Sequence, residues 1–165
     1  MHLFVDLDEV LVNLDKGYEE CVGIPMSEAD RFFNYDQEKI WEKPKANPTF
    51  WRDLPKMKDA DLLIDYVTQI DREKFIISAA VRNYPDCSTH KREWVDIHTP
   101  FSMEYVHIVR RSEKKLFAVS KGSPNILIDD YLKNIEEWEA HGGIGILHTS
   151  SENTINILHD KLKGK

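Results

Sequence analysis

The chain has 165 residues, a length that suits one domain with room for a small insert. Lys and Arg number 22 against 29 Asp and Glu, a net charge of −7. That balance argues against an extended nucleic-acid surface, yet it allows a small phosphorylated substrate met at one local basic site.

In chain order, Leu3-Phe4-Val5 reads as a short buried strand ending at Asp6. The stretch of about 15–57 interrupts the pattern. Its 24–57 part holds Pro25, Pro44, Pro48 and Pro55, four of the 7 prolines, and is rich in aromatics. It predicts a small, mostly helical insert over one end of a sheet. Leu62, Leu63, Tyr66, Val67 and Ile70 share one helical face, with Asp59 and Asp61 near its start. Phe75-Ile76-Ile77 predicts a second strand ending at Ser78, and a helix follows over Asp86 to His98. Tyr105 to Val109 is a third strand, with a short helix after Ser112. Ile126-Leu127-Ile128 is a fourth, ending at Asp129. Leu132, Ile135 and Trp138 mark a helix stopped by Gly142-Gly143. Ile144 to Leu147 is a fifth strand, and Ile155, Leu158 and Leu162 stripe a last helix.

Strands alternating with helices imply an α/β fold, a parallel sheet covered on both faces. Right-handed crossovers outward from the first strand and back across it give the order 3-2-1-4-5, with Leu3–Asp6 central. The apolar runs fall short of a membrane span, and Asp6, Asp8 and Glu9 do not fit the core of a signal peptide. Cys21 and Cys87 form no CxxC pair, so neither a zinc cluster nor a disulfide framework is expected. A cytoplasmic protein is the expectation.

In open parallel sheets ligands bind beyond the carboxyl ends of the strands. Those ends carry Asp6 and Asp8, then Ser78, then Asp129 and Asp130, with Lys114 just past the third strand. Clustered carboxylates suit a hard divalent cation such as Mg²⁺. A carboxylate can attack phosphorus, and a second, two residues on, can protonate the leaving oxygen and then activate water. A lysine and a hydroxyl can bind the phosphoryl oxygens.

Phe4-Val5-Asp6-Leu7-Asp8-Glu9-Val10-Leu11 resembles the DxDx[TV] first motif of the haloacid dehalogenase (HAD) superfamily of phosphatases. Ile76-Ile77-Ser78 resembles the second motif, Lys114 the third and Ile128-Asp129-Asp130 the fourth. Within the superfamily the chain is similar to 5′(3′)-deoxyribonucleotidases of the cytosolic type C group and their bacterial and bacteriophage relatives. That similarity rests also on Ser78-Ala79-Ala80, the Lys91…Trp94 helix, Asn134-Ile135-Glu136 and Gly142-Gly143-Ile144-Gly145.

The resemblance implies a HAD-like Rossmannoid fold with a small cap. It makes Asp6 the nucleophile and Asp8 the acid/base. It gives Mg²⁺ to the Asp6 carboxylate, the Asp8 carbonyl and Asp130, with Asp129 in support. Phosphate falls to Ser78, the Ala79 backbone and Lys114, with Lys115 the alternative lysine. The implied activity is Mg²⁺-dependent hydrolysis of deoxynucleoside monophosphates through an aspartyl phosphate.

Another small phosphate ester or a nucleic-acid 3′-phosphate is the alternative substrate, and a receiver-like phosphoacceptor domain the non-enzymatic one. The order of motifs weighs against a receiver, because Asp-x-Asp comes first and the adjacent pair comes at the fourth strand. The insert aromatics read first as core, with Trp41, Phe50 and Trp51 as candidates for stacking on a base. Lys91, at helical distance from Trp94, reads first as packing and surface charge, with a substrate contact as the alternative. A homodimer is left open.

Overall fold

The computed structural model describes residues 1–82 and 84–163. Strand β1 (Leu3–Val5) leads into α1 (Leu14–Val22), α2 (Met26–Phe32), α3 (Gln37–Ala46) and α4 (Ala60–Gln69). Then come β2 (Lys74–Ala79), α5 (Cys87–His98) and β3 (Val106–Val109). A 3₁₀ helix over Arg111–Phe117 precedes a two-residue hairpin, β4 (Val119–Ser120) with β5 (Ser123–Pro124). The chain closes with β6 (Ile126–Asp129), α6 (Leu132–Ala140), β7 (Ile144–Leu147) and α7 (Ser151–Lys163).

The main sheet runs β3-β2-β1-β6-β7, with every neighbouring pair parallel. The small hairpin takes numbers four and five, so this is the expected 3-2-1-4-5 order with β1 at the centre. β1 is buried on both faces, as a strand covered by helices must be. Leu3 and Val5 face one core with Ile76, Ile126 and Ile128, packed with residues of α4, α5 and α7. Phe4 faces the other, with Ile77, Leu127, Ile135 and Trp138. The alternation follows from the two-residue period of a strand.

Two details differ from the pattern reading. Tyr105 belongs to a 3₁₀ turn over Met103–Tyr105, so the third strand begins at Val106. The β4–β5 hairpin is too short to leave a periodic signal; Lys121 and Gly122 turn it with positive φ.

Between β1 and β2 the insert is helical. Asn13 caps α1 by accepting from the Lys16 N–H at 2.9 Å, and Asp36 caps α3 through the Glu38 and Lys39 N–H groups. Two aromatics from beyond β2 fasten the insert to the sheet domain. The Tyr84 hydroxyl donates to the Pro44 carbonyl at 2.6 Å, and Trp94 Nε1 donates to the Leu54 carbonyl at 2.8 Å. Gly143 lies so close under the Trp138 indole that a Cβ there would meet the ring, which is why the chain re-enters the sheet on a glycine.

Candidate active site

β1 ends at Asp6, whose N–H makes a last ladder bond to the Ile128 carbonyl at 2.9 Å. The chain then folds sharply. The N–H groups of Val10, Leu11 and Val12 all reach the Leu7 carbonyl, and Glu9 takes a positive φ of 56°. This tight turn keeps Asp8 beside Asp6 instead of letting the strand run on.

The Asp6 carboxylate is held at both oxygens. Oδ1 accepts from the Leu7 N–H at 2.8 Å, and Oδ2 pairs with Lys114 Nζ at 2.9 Å. Lys114 also donates to Asp129 Oδ2 at 2.8 Å. These two bonds leave one of its three N–H groups uncommitted among the described residues. The structure brings Lys114 to this place; Lys115 beside it is only half-buried. Burial works against the Lys114 charge, but the Asp6 and Asp129 carboxylates outweigh it and raise its pKa.

Asp129 is fully buried and its acceptors are taken. Oδ1 accepts from the Tyr131 N–H and from Asn134 Nδ2, while Oδ2 accepts from Lys114 and from Asn134. Arg111 donates to Asn134 Oδ1 at 3.0 Å and forks onto Glu137 with two bonds of 3.1 Å. Asp129 is therefore clamped in orientation by a chain of polar groups reaching the surface. Asp130 is exposed. Asp6, Asp129 and Asp130 each offer a carboxylate oxygen, all within 4.8 Å of one another. Asp6 and Asp130 keep oxygen lone pairs that fit a hard divalent cation such as Mg²⁺, whereas those of Asp129 are spent on Lys114, Tyr131 and Asn134.

The crowding shows in the proton affinities. Burial, then the Asp6 charge, push Asp129 up to about 6 against the pull of Lys114. Asp130 is exposed as a residue, but desolvation of its carboxyl in the crowded site, followed by the Asp6 and Asp129 charges, pushes it up to about 7. The folded, metal-free site thus keeps protons that an unfolded chain has released above its ordinary carboxyl pKa of 3.8. Its carboxylates lower stability as pH rises toward 7. Asp130→Asn is expected to raise the melting temperature of chelator-treated protein more at pH 8 than at pH 5. Measuring both proteins at both pH values cancels the other titrating groups; an equal shift would contradict the crowding.

Ser78 ends the buried part of β2 with no exposure, and its Oγ faces Lys91 at 3.0 Å. Sequence reasoning singled out Lys91 but read it first as packing and surface charge, and it missed the contact with Asp8. Lys91 is 2% exposed, and its Nζ lies 2.5 Å from Asp8 Oδ2 and 2.8 Å from the Ala79 carbonyl. The missed signal was positional: Cys87, Lys91, Trp94 and Val95 lie on the buried face of α5, so a lysine in that stripe needed an anionic partner. Burial raises the Asp8 carboxyl above its ordinary value, Lys91 pulls the other way, and Asp6 adds to the rise.

Trp41, Phe50 and Trp51 are packed against one another, and Phe50 also borders a small hollow of about 190 Å³ with Gly17, Asn47 and Leu54. The three aromatics are 7%, 3% and 1% exposed, with ring centroids 5.6 Å apart for Trp41–Trp51 and 5.3 Å for Phe50–Trp51. None presents a free face on which a base could stack.

A family model described as "5' nucleotidase, deoxy (Pyrimidine), cytosolic type C protein" matches residues 1–162. The chain belongs to this family. It is a HAD-type phosphoric monoester hydrolase, as the four motifs implied, of the type C nucleotidase group, as the further likenesses implied. Among solved structures it is similar to a hydrolase from Streptococcus pneumoniae TIGR4, with 19% identity, TM-score 0.55, and 96% of this chain and 97% of that chain covered. A HAD family enzyme from Bacteroides thetaiotaomicron gives 15% identity, TM-score 0.55, and 95% and 97% coverage. L-2-haloacid dehalogenase from Xanthobacter autotrophicus gives 10%, 0.55, and 99% and 83%. At these identities the likeness establishes the fold that the type C nucleotidases share with other HAD hydrolases. Comparison with curated protein sequences finds no match. Among the described residues no helix is long and apolar enough to cross a membrane.

Proposed function

We propose that this type C nucleotidase is a Mg²⁺-dependent phosphatase of deoxynucleoside monophosphates, acting through an aspartyl phosphate on Asp6. The observation that carries the chemistry is Lys114, buried between Asp6 and Asp129 with one N–H still uncommitted. It holds the Asp6 carboxylate in place, and it offers that N–H to the phosphoryl group.

Asp6 and Asp130 would hold the cation, together with the Asp8 carbonyl, and Asp129 orients the site because its own oxygens are occupied. Bound there, Mg²⁺ would supply charge neutralisation among the carboxylates and the phosphate. Asp6 attacks phosphorus, Asp8 protonates the departing ester oxygen, and the Asp8 carboxylate then takes a proton from the water that releases phosphate. Ser78 and the Ala79 backbone border the same space. Residues of about 15–57 act as the cap, joined to the sheet domain through Tyr84 and Trp94.

Family membership supports the nucleotide. The burial of Trp41, Phe50 and Trp51 leaves base recognition to other side chains. A HAD family hydrolase from Deinococcus radiodurans R1, similar in fold at 10% identity, was solved with bound phosphate and sodium, in keeping with a phosphate site on this scaffold.

The test is a panel of nucleoside monophosphates with Mg²⁺, comparing 5′ with 3′ phosphates, deoxyribose with ribose, and all bases, beside a generic aryl phosphate. Phosphate release is expected from deoxynucleotides above ribonucleotides. Excess chelator should abolish it, and added Mg²⁺ should restore it. Turnover that survives chelation overturns the metal reading; turnover of the aryl phosphate with none of any nucleotide overturns the substrate.

A further inference from the structure

We propose that Arg111 is a positioning residue that keeps Lys114 seated between Asp6 and Asp129 with its free donor aimed at the phosphoryl group; this rests on the reading of Lys114 as the phosphoryl-binding lysine. Arg111 and Lys114 stand three residues apart on the 3₁₀ helix Arg111–Phe117. A 3₁₀ helix has three residues per turn, so side chains at that spacing lie on one face. Runs beyond three or four residues are uncommon, because the hydrogen bonds of this helix are poorly aligned. This one has 7 residues and carries the lysine of the site, so it needs a hold from outside.

Arg111 supplies that hold. Its Nη1 donates to Asn134 Oδ1 at 3.0 Å and to Glu137 Oε2 at 3.1 Å, and its Nη2 donates to Glu137 Oε1 at 3.1 Å. Asn134 and Glu137 are themselves three residues apart on α6, so one guanidinium bolts the two helices together. Among the described residues its bonds go to α6 and to none of Asp6, Asp8, Asp129 and Asp130, so its influence on the site is indirect.

The same contact fixes the sense of the Asn134 amide. A guanidinium only donates, so it takes the amide oxygen and turns Nδ2 inward. Nδ2 then faces both oxygens of Asp129, at 3.1 and 3.0 Å, from a side chain only 6% exposed. A flipped amide would set its oxygen against the Asp129 carboxylate and its N–H groups against Arg111. Held in this sense, Asp129 receives Lys114 at 2.8 Å, and Lys114 reaches Asp6 at 2.9 Å. Arg111 therefore acts on Lys114 by two routes, through the helix they share and through Asn134 and Asp129.

Both ends of the fork are partly exposed, so Arg111→Met should fold. Wild type, Arg111→Met, Lys114→Met and the double variant should be compared on a deoxynucleoside monophosphate and on an aryl phosphate, with inorganic phosphate as inhibitor. Lys114 acts on the phosphoryl group that both substrates share. Arg111→Met should therefore lose kcat/KM by the same factor on both, about 10- to 100-fold, the scale of a small misplacement at a reacting centre. Inorganic phosphate should inhibit it more weakly. In the double variant Arg111→Met should add no more than about twofold to Lys114→Met alone, because the lysine it positions is gone. A residue that only held the fold would cost stability and leave the rates and phosphate inhibition of the folded protein unmoved.

A loss on the nucleotide alone makes Arg111 a contact for the nucleoside and overturns the proposal. Wild-type rates or unchanged phosphate inhibition in folded Arg111→Met also overturn it, as does a loss that passes undiminished into the double variant. In each of these cases a large loss in Lys114→Met leaves the lysine reading standing. Near-normal turnover by Lys114→Met overturns that reading and the proposal with it. If Lys114→Met does not fold, Lys114→Gln, which keeps an N–H between the two carboxylates, takes its place in the cycle. An Arg111→Met loss that shrinks to about twofold or less beside Lys114→Gln supports the proposal, and an undiminished one overturns it.

Discussion

Asp6→Asn should reduce turnover by about 10⁴-fold or more and leave no trappable phosphoenzyme, the scale of loss expected when a covalent nucleophile is removed. The amide lacks the ionised oxygen that attacks phosphorus. Folding should survive, because the replacement keeps an oxygen for the Leu7 N–H and Lys114 keeps Asp129 as its counter-ion. Acid quenching during turnover, followed by mass measurement of the peptide containing Asp6, should show an added phosphoryl group in wild type and none in the variant. Near-normal turnover by Asp6→Asn would falsify the assignment of the nucleophile.

Lys114→Met should damage both stability and chemistry. The substitution keeps the side-chain length but leaves Asp6 and Asp129 facing one another without the ammonium between them. Stripping one partner from a buried ion pair typically costs about 3–5 kcal/mol, because the other charge stays buried and unpaired. The nucleophile then lacks both its counter-ion and the contact that orients it. Turnover should fall by about 10²–10³-fold at least, the usual cost of losing one group that stabilises developing charge. Urea unfolding gives the first quantity, and kcat on protein shown to be folded gives the second. Lys115→Ala should change neither; the reverse pattern in the two variants would move the role to Lys115.

The sequence reached much of this by itself. Short apolar runs separated by helical stripes impose a parallel sheet, since each run is too short for a helix and too apolar to leave either face wet. Crossover handedness then puts β1 at the centre, and it lies there. Asp6, Asp8, Ser78, Asp129 and Asp130 were legible because each sits at or just past the end of such a run. A strand end is a position that local pattern marks.

Other features depended on contacts between residues far apart in the chain. Lys91 carries no local mark beyond its place on a buried helical face; only the packing of α5 against the ends of β1 and β2 sets its ammonium on Asp8 and Ser78. Asn134, Arg111 and Glu137 join Asp129 through hydrogen bonds spanning the 3₁₀ helix and α6, and no spacing along the chain encodes them. Trp41, Phe50 and Trp51 have the composition of a stacking platform. The fold of the insert turns them inward, because burying large rings against one another and against Tyr84 removes more apolar surface from water than a cleft wall would. Composition and period set which residues must be buried or must meet the strand ends. Which charge meets which, and which ring stays open, was decided by tertiary packing, because hydrogen bonds and ring contacts act over a few ångströms between segments that only the completed fold brings together.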